Sequence, residues 1–341
     1  MFEDALLDDP QALTRVDARL RHLAESGSRV RREAASAAEA LSQADQHLGL
    51  DQPRAIVAAG PDSRLLRAVL EPVCPVPFVA WPRPGLPGWV GSLDLVVVLA
   101  PEGSDPEVAE ATAEATRRGC QLIVFAPEGS LVAQHSNSRY TTLIPTQTND
   151  HNAVAVAALW LLHQQHLGPE VNTEYLAKAL DEVAVNCSPF RESMINPAKN
   201  LAIGMADANP VLWGTSPLAA RAARRVAEAI RAATGRSALA GLADQLRPML
   251  EAAEPLDLFA DPFADDNDGV VAPRPVLVVL DDGPVDPRVA AERSELEAAA
   301  HANRLRVEQI QASAEGELAR YVSMQLIGQF AATYLQVGQA G

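Results

Sequence analysis

The sequence predicts an α/β fold, built as two three-layer α/β/α domains with parallel sheets, the second repeating the layout of the first. Three observations carry this. Short apolar runs rich in Val and Leu (LDLVVVLA at 93–100, PVLW at 210–213, VLVVL at 276–280) are what strands buried on both faces require. Each is followed by a turn of Gly, Pro, Ser or Asp and then by a segment of helical spacing. That order of parts occurs in the first half and again in the second, the mark of a duplicated fold, with domains at 1–168 and 169–341.

Taken in order, residues 11–25 and 28–48 hold apolar residues at helical spacing (Leu13, Val16, Leu20, Leu23; Val30, Ala34, Ala37, Leu41) and predict two packed helices. A strand is expected at 54–59, a turn at Gly60-Pro61-Asp62-Ser63, a helix at 64–71 and a strand at 77–81 inside a Pro-rich stretch. The strand at 93–100 leads into Pro101-Glu102-Gly103-Ser104-Asp105. Asp105 is a natural N-cap and Pro106 a natural first helical residue, so a helix runs to about 118, where Gly119 ends it. A strand at 122–126, a turn at 127–130, a strand at 140–144 and a helix at 149–167 complete an open five-stranded parallel sheet. After helices at 172–186 and 197–205 the pattern restarts: a strand at 210–213, the turn Gly214-Thr215-Ser216-Pro217, and a helix at 218–233. A helix at 242–253, an acidic Pro-rich loop at 254–275, a strand at 276–280, a helix at 286–303, a strand at 305–310 and a helix at 316–337 follow, and the second half is expected to match the five strands of the first.

With 341 residues, 48% hydrophobic and only 4% aromatic, the two cores must be made mostly of Ala, Val and Leu. A formal net charge of −16 argues against nucleic acid and anionic lipid as partners, both being negative themselves. Cys74, Cys120 and Cys187 are scattered and lack metal-ligand spacing, so reduced, buried thiols in a cytoplasmic protein are expected, with no metal and no cofactor. No apolar run approaches ~18 residues, so no membrane span is expected.

In a parallel α/β sheet, ligands meet the turns at the strands' carboxyl ends, where helix N-termini favour anions. The candidate substrate-binding residues are those of such turns: Gly60, Ser63, Ser104, Ser130, Gly214, Thr215 and Ser216. The turn before Pro106 carries acids where an anion cradle would carry hydroxyls, so Asp105 is read as filling that seat itself, with Glu102 adding a second charge; Asp62 is likewise read as a cap. The turn at Gly214, Thr215 and Ser216 has two hydroxyls and no acid, which makes it the better cradle. His163 and His166 share a helical face without Cys or Asp partners and read as a solvated pair. The wide apolar stripe of the last helix (Leu318, Tyr321, Val322, Met324, Leu326, Ile327, Phe330, Tyr334) is read as partly core and partly the interface of a homodimer.

The string Asn196-Pro197-Ala198-Lys199-Asn200-Leu201-Ala202, then Val211-Leu212-Trp213-Gly214, then Leu318-Ala319-Arg320 onward to Tyr334-Leu335, resembles the archaeal-type bifunctional phosphoglucose/phosphomannose isomerases, nearest to an actinobacterial branch labelled TobH-like. Those proteins have two sugar-isomerase (SIS) domains, so the resemblance implies SIS-type domains here, a small sugar-phosphate ligand, and sites built between paired subunits. It also implies aldose–ketose isomerisation through a cis-enediol, with a carboxylate base, a ring-opening His and a Ser/Thr phosphate turn. This sequence departs from that set residue by residue. The phosphate turn falls on Pro101-Glu102-Gly103-Ser104-Asp105-Pro106, the early Gly-Gly-Ser turn on Gly60-Pro61-Asp62-Ser63, and the string that supplies the base on LADQLRPML at 242–250. No His lies between His166 and His301, Gly328-Gln329 stands where the family has Gly-Asp, and no Lys lies near the C-terminus; Glu251 and Glu254 are the only displaced-base candidates. The expectation is therefore a sugar-derivative-binding protein without catalytic residues, non-catalytic or regulatory. An active isomerase with a rearranged site is the alternative, and a purely structural partner of another enzyme a third reading.

Overall fold

A computed structural model describes residues 2–43, 52–60, 63–253, 273–283 and 286–339. The backbone gathers into two compact units, one holding Glu25–Lys178 and the other the described residues before Glu25 and after Lys178. The opening residues thus pack with the second sheet, although a boundary at 168 would place them with the first.

The opening segment is a 3₁₀ turn (Asp4–Asp8) followed by helices α1 (Pro10–Thr14) and α2 (Asp17–Ala24). Where one helix was expected there are two, because the N–H groups of Arg15 and Val16 bond back three residues to Ala12 and Leu13 and tighten the chain into a turn. The first unit then runs α3 (Ser26–Gln43), β1 (Ile56–Ala59), α4 (Ser63–Leu70), β2 (Phe78–Trp81), β3 (Leu95–Leu99), α5 (Pro106–Arg117), β4 (Gln121–Ala126), α6 (Leu131–His135), β5 (Thr141–Pro145) and α7 (His151–Gln164). Its five strands are all parallel, in the order β2-β1-β3-β4-β5. Every residue of β3 is buried, as a strand covered on both faces must be. Val57, Val96, Val98, Leu122 and Val124 meet Val108, Ala111 and Ala115 of α5 on one side of the sheet. The short helix α6 was not anticipated; Ser130 caps it.

Helix α8 (Thr173–Asn186) carries the chain onward to α9 (Pro197–Gly204), β6 (Asn209–Gly214), α10 (Pro217–Thr234), β7 (Leu239–Ala240), α11 (Ala243–Glu251), β8 (Pro275–Asp281), α12 (Pro287–Ala302), β9 (Val307–Gln311) and α13 (Glu317–Gly338). Among the described residues the second sheet has four parallel strands, β7-β6-β8-β9, one fewer than expected. The two-residue β7 was not foreseen. The expected acidic loop at 254–275 lies almost wholly outside the described residues. Val211, Trp213, Leu277 and Val279 pack against Leu246 and Leu250 of α11 and Leu296 and Ala300 of α12. Among the described residues the molecule is thus an α/β protein with parallel sheets of five and four strands.

The apolar stripe of α13 is taken up by the chain itself. Tyr321, Val322, Met324, Leu326, Ile327, Phe330 and Tyr334 are all buried, with α10, α9, α2 and the opening 3₁₀ turn against the helix. At Gly328 α10 comes so close that a Cβ there would lie 2.2 Å from Val226 Cγ2. The part of the stripe read as a homodimer interface is therefore packed within the chain, against α10, α9 and, from the far end of the sequence, the opening segment, and only Leu318 stays half-buried.

In the first unit Glu33 is fully buried, accepting from Gln147 N at 3.0 Å and Thr148 Oγ1 at 2.6 Å, and its other oxygen has no hydrogen-bond partner among the described residues. Burial raises its pKa, the neighbouring Asp150 charge adds to the rise, and the two hydrogen bonds only partly oppose it. A carboxyl whose folded pKa lies above its unfolded value contributes stability at low pH and loses it as pH rises through the folded pKa. The expected result is that Glu33→Gln gains thermal stability relative to the wild type as pH is raised from 4 to 8. A difference in Tm that stays constant over that range would contradict it.

Candidate functional site

In each unit the strand order reverses once, between β1 and β3 in the first sheet and between β6 and β8 in the second, and the turns leaving those strands lie side by side at the carboxyl edge. In the first unit these are the turns at Gly60 and at Pro101 to Asp105. Gly60 (φ +103°) has no room for a side chain, since a Cβ would sit 2.3 Å from Leu99 O. Pro61 and Asp62 lie outside the described residues. Ser63 opens α4, fully buried, with no hydrogen-bond partner among the described residues for its hydroxyl.

The start of α5 is closed by its own residues. Pro106 has no N–H to offer, and the Asp105 carboxylate accepts from Glu107 N at 2.9 Å. Gly103 (φ +67°) is pressed against Ser130: a Cβ there would lie 2.4 Å from the Ser130 Cβ. Ser130 is the cap of α6, accepting from Ala133 N at 3.3 Å, and Ser104 points to solvent. The structure brings Gly103 and Ser130 together but gathers no set of free hydroxyls. A cleft of about 180 Å³ remains above α5, lined by Gly60, Arg83, Asp105 and Glu107 among others.

The second unit repeats the arrangement with one change. Gly214 at the end of β6 lets α10 approach so closely that a Cβ would fall 2.2 Å from backbone atoms of Ala219 and Ala220. Ser216 caps α10, accepting from Ala219 N at 3.0 Å. The turn itself carries no acid, as expected, but an acid faces it from the neighbouring strand. Gly214 pairs with Leu280 across the sheet, and Thr215 N donates to Leu280 O at 3.1 Å, so Asp282, two residues beyond, faces the turn. The Thr215 hydroxyl donates to Asp282 Oδ1 at 2.8 Å, the Ser216 hydroxyl donates to Asp282 Oδ2, and Asp282 N donates back to Thr215 Oγ1 at 3.3 Å. Asp282 is only 8% exposed. Both hydroxyls of the presumed cradle are thus directed at a carboxylate of the same chain.

Asp281, its neighbour, is turned the other way. It accepts from Gly283 N at 3.0 Å and pairs with Arg293 at 2.8 Å. Burial would raise its pKa, but these two partners hold it below the ordinary carboxylate range. The β8 turn matches the β3 turn in kind: an acid then a positive-φ Gly (Glu102-Gly103, Asp282-Gly283), followed by an Asp cap and a Pro-started helix (Asp105-Pro106, Asp286-Pro287).

Beside Gly214, Thr215 and Ser216 opens a cavity of about 570 Å³, with Trp213 at its base and α11 and α12 as walls. Its charged lining is Asp244, Arg247, Arg288, Glu292 and Glu295. Arg247 pairs with Glu295 at 2.9 Å and Arg288 with Glu292 at 3.4 Å. No His lines it. Of the displaced-base candidates, Glu251 ends α11 exposed and paired with Arg247 at 3.4 Å, and Glu254 lies outside the described residues. Among the described residues no group of three or more His, Cys, Asp and Glu could hold a metal, and no helix is long and apolar enough to cross a membrane. Cys120 and Cys187 are buried and Cys74 is partly so, and burial pushes the Cys187 thiol up to about 12.

This geometry, paired turns at the carboxyl edges of two parallel sheets, has counterparts. Residues 194–339 match the bacterial phospho-glucose isomerase C-terminal SIS domain. Solved structures share the fold over most of the chain. Tagatose-6-phosphate ketose/aldose isomerase from Escherichia coli is similar at 12% identity, with a TM-score of 0.63 over 92% of this chain and 93% of that one. The C-terminal domain of glucosamine-fructose-6-phosphate aminotransferase from Francisella tularensis is similar at 10% identity, with a TM-score of 0.62 over 94% and 95%. No curated protein matches the chain in sequence. The SIS-like match takes in β6 to α13, and so both Thr215 and Asp282.

Proposed function

We propose that this SIS-type chain, related to glucose-6-phosphate and mannose-6-phosphate isomerases, is a non-catalytic or regulatory protein that binds a sugar derivative in the cavity beside Gly214, Thr215 and Ser216. One observation carries the reading: the Asp282 carboxylate accepts both hydroxyls that would otherwise hold a phosphate. A phosphoryl dianion placed there would meet a like charge, costing roughly 1 to 4 kcal/mol at ~4 Å, and would have to displace two charge-assisted hydrogen bonds. An isomerase relies on the remote phosphoryl group for binding energy that drives its chemistry, so losing the seat removes more than affinity. The cavity itself is within the range of small-molecule sites, and its paired Arg and Glu side chains suit a hydroxyl-rich ligand that brings little net charge.

The test is calorimetric titration with glucose, mannose and their 6-phosphates beside a coupled isomerase assay. The expected result is saturable binding of at least one sugar, no tighter for a 6-phosphate than for its parent, weakened at least tenfold in Ala220→Trp, which fills the cavity. Turnover of either phosphate near 1 s⁻¹, in the ordinary enzyme range, would overturn it.

A further inference from the structure

A second cavity, of about 150 Å³, lies in the unit of the second sheet, and none of its lining belongs to the site above. It is enclosed by the C-terminal half of α8, the start of α9, the segment after β9 and the second turn of α13. Its lining includes Ser323, 3% exposed, whose hydroxyl oxygen is shut off from solvent and has no hydrogen-bond partner among the described residues. Leaving a buried hydroxyl unpaired is unfavourable, so the folded chain keeps a polar group at a loss beside an open space. Glu182 lines the rim and forms no ion pair among the described residues; it is the only formal charge in the lining. Asn186, also in the lining, accepts from Arg191 at 2.6 Å through its oxygen. Val183, Pro197 and Ile327 supply apolar wall.

We infer that this cavity binds a small hydroxylated amine, with its ammonium on Glu182, its carbon skeleton against Val183 and Ile327, and a hydroxyl on Ser323, whose side chain turns about χ1 to meet it. The class follows from the lining. The unpaired carboxylate repels phosphates and carboxylates and attracts a cation, Ser323 can donate or accept, and a cavity of this size holds a molecule of about benzene size. This site is independent of the cavity beside Thr215 and stands or falls separately.

Three probes of one skeleton test it: serinol (cationic), glycerol (neutral) and glycerol 3-phosphate (anionic), titrated against the full chain by ligand-observed NMR. Serinol is expected to bind saturably, glycerol roughly tenfold more weakly and glycerol 3-phosphate not at all, a charged hydrogen bond being worth about a factor of ten or more. Glu182→Gln should bring serinol down to the glycerol level. Ser323→Ala should weaken serinol about tenfold while leaving Tm unchanged or raised, because it removes an unpaired group; a merely structural Ser323 would lower Tm. No saturable serinol binding to the wild type, or serinol affinity unchanged in both variants, would overturn the inference.

Discussion

Replacing Lys199 by methionine is expected to cost about 3–5 kcal/mol of folding free energy, the usual penalty for breaking a buried charged cluster from one side. Lys199 is fully buried and uses all three of its donors: Asp8 Oδ1 at 2.7 Å, Pro189 O at 3.0 Å and Arg191 O at 2.8 Å. Its ammonium also lies 5.4 Å from the centre of the Tyr334 ring, whose hydroxyl donates to Cys187 O at 2.6 Å. Methionine keeps the bulk but leaves two backbone carbonyls with no donor and detaches the opening segment from α9. Burial would raise the Asp8 pKa, but hydrogen bonds from Lys199 and Ser193 hold it below the ordinary carboxylate value, so this clasp contributes above the unfolded pKa of Asp8 and is lost as pH falls through the folded one. Urea unfolding of the wild type, Lys199→Met, Asp8→Asn and the double variant measures it. Asp8 is half-exposed, so its own replacement should cost less, and the double variant should cost clearly less than the sum. Additive losses would show that the two groups do not act together.

Asp282→Ala is expected to lose about 3 kcal/mol through two charge-assisted hydrogen bonds, and to gain something in exchange. Freed of the carboxylate, the Thr215 and Ser216 hydroxyls and the first N–H groups of α10 form the anion cradle that the turn sequence suggests. The variant should therefore be stabilised by inorganic phosphate, with Tm rising as phosphate is added, where the wild type is indifferent. Loss of stability with no phosphate response would mean that the turn collapses once its acid is removed.

How much of this was legible in the sequence follows from the range of the interactions. The Asp105 cap and Pro106 start could be read directly because a cap acts over two residues. Val-rich β3 and β8 and the apolar centre of β6 were equally plain, since strands buried on both faces leave an unbroken apolar run. Asp282 was missed because its partners lie 66 and 67 residues away and are fixed by the pairing of β6 with β8, not by any local spacing. One signal could have found it: Asp282-Gly283 follows its strand as Glu102-Gly103 follows β3, so the acid inferred in one half had a counterpart in the other. The α13 stripe misled for a similar reason. A wide apolar face shows that something covers it, and here the cover comes from α10 and α9 together with the opening residues. The string containing Asn196 and Lys199, which carried the family resemblance, proves structural: Asn196 caps α9, accepting from Ala198 N and Lys199 N, and Lys199 makes the clasp.

The most direct measurement is the affinity of glucose 6-phosphate relative to glucose, for the wild type and for Asp282→Ala in parallel. The account predicts no advantage for the phosphate in the wild type and a clear one, at least tenfold, in the variant. A phosphate advantage already present in the wild type, with crystallographic density for the phosphoryl group on Thr215 and Ser216, would contradict it.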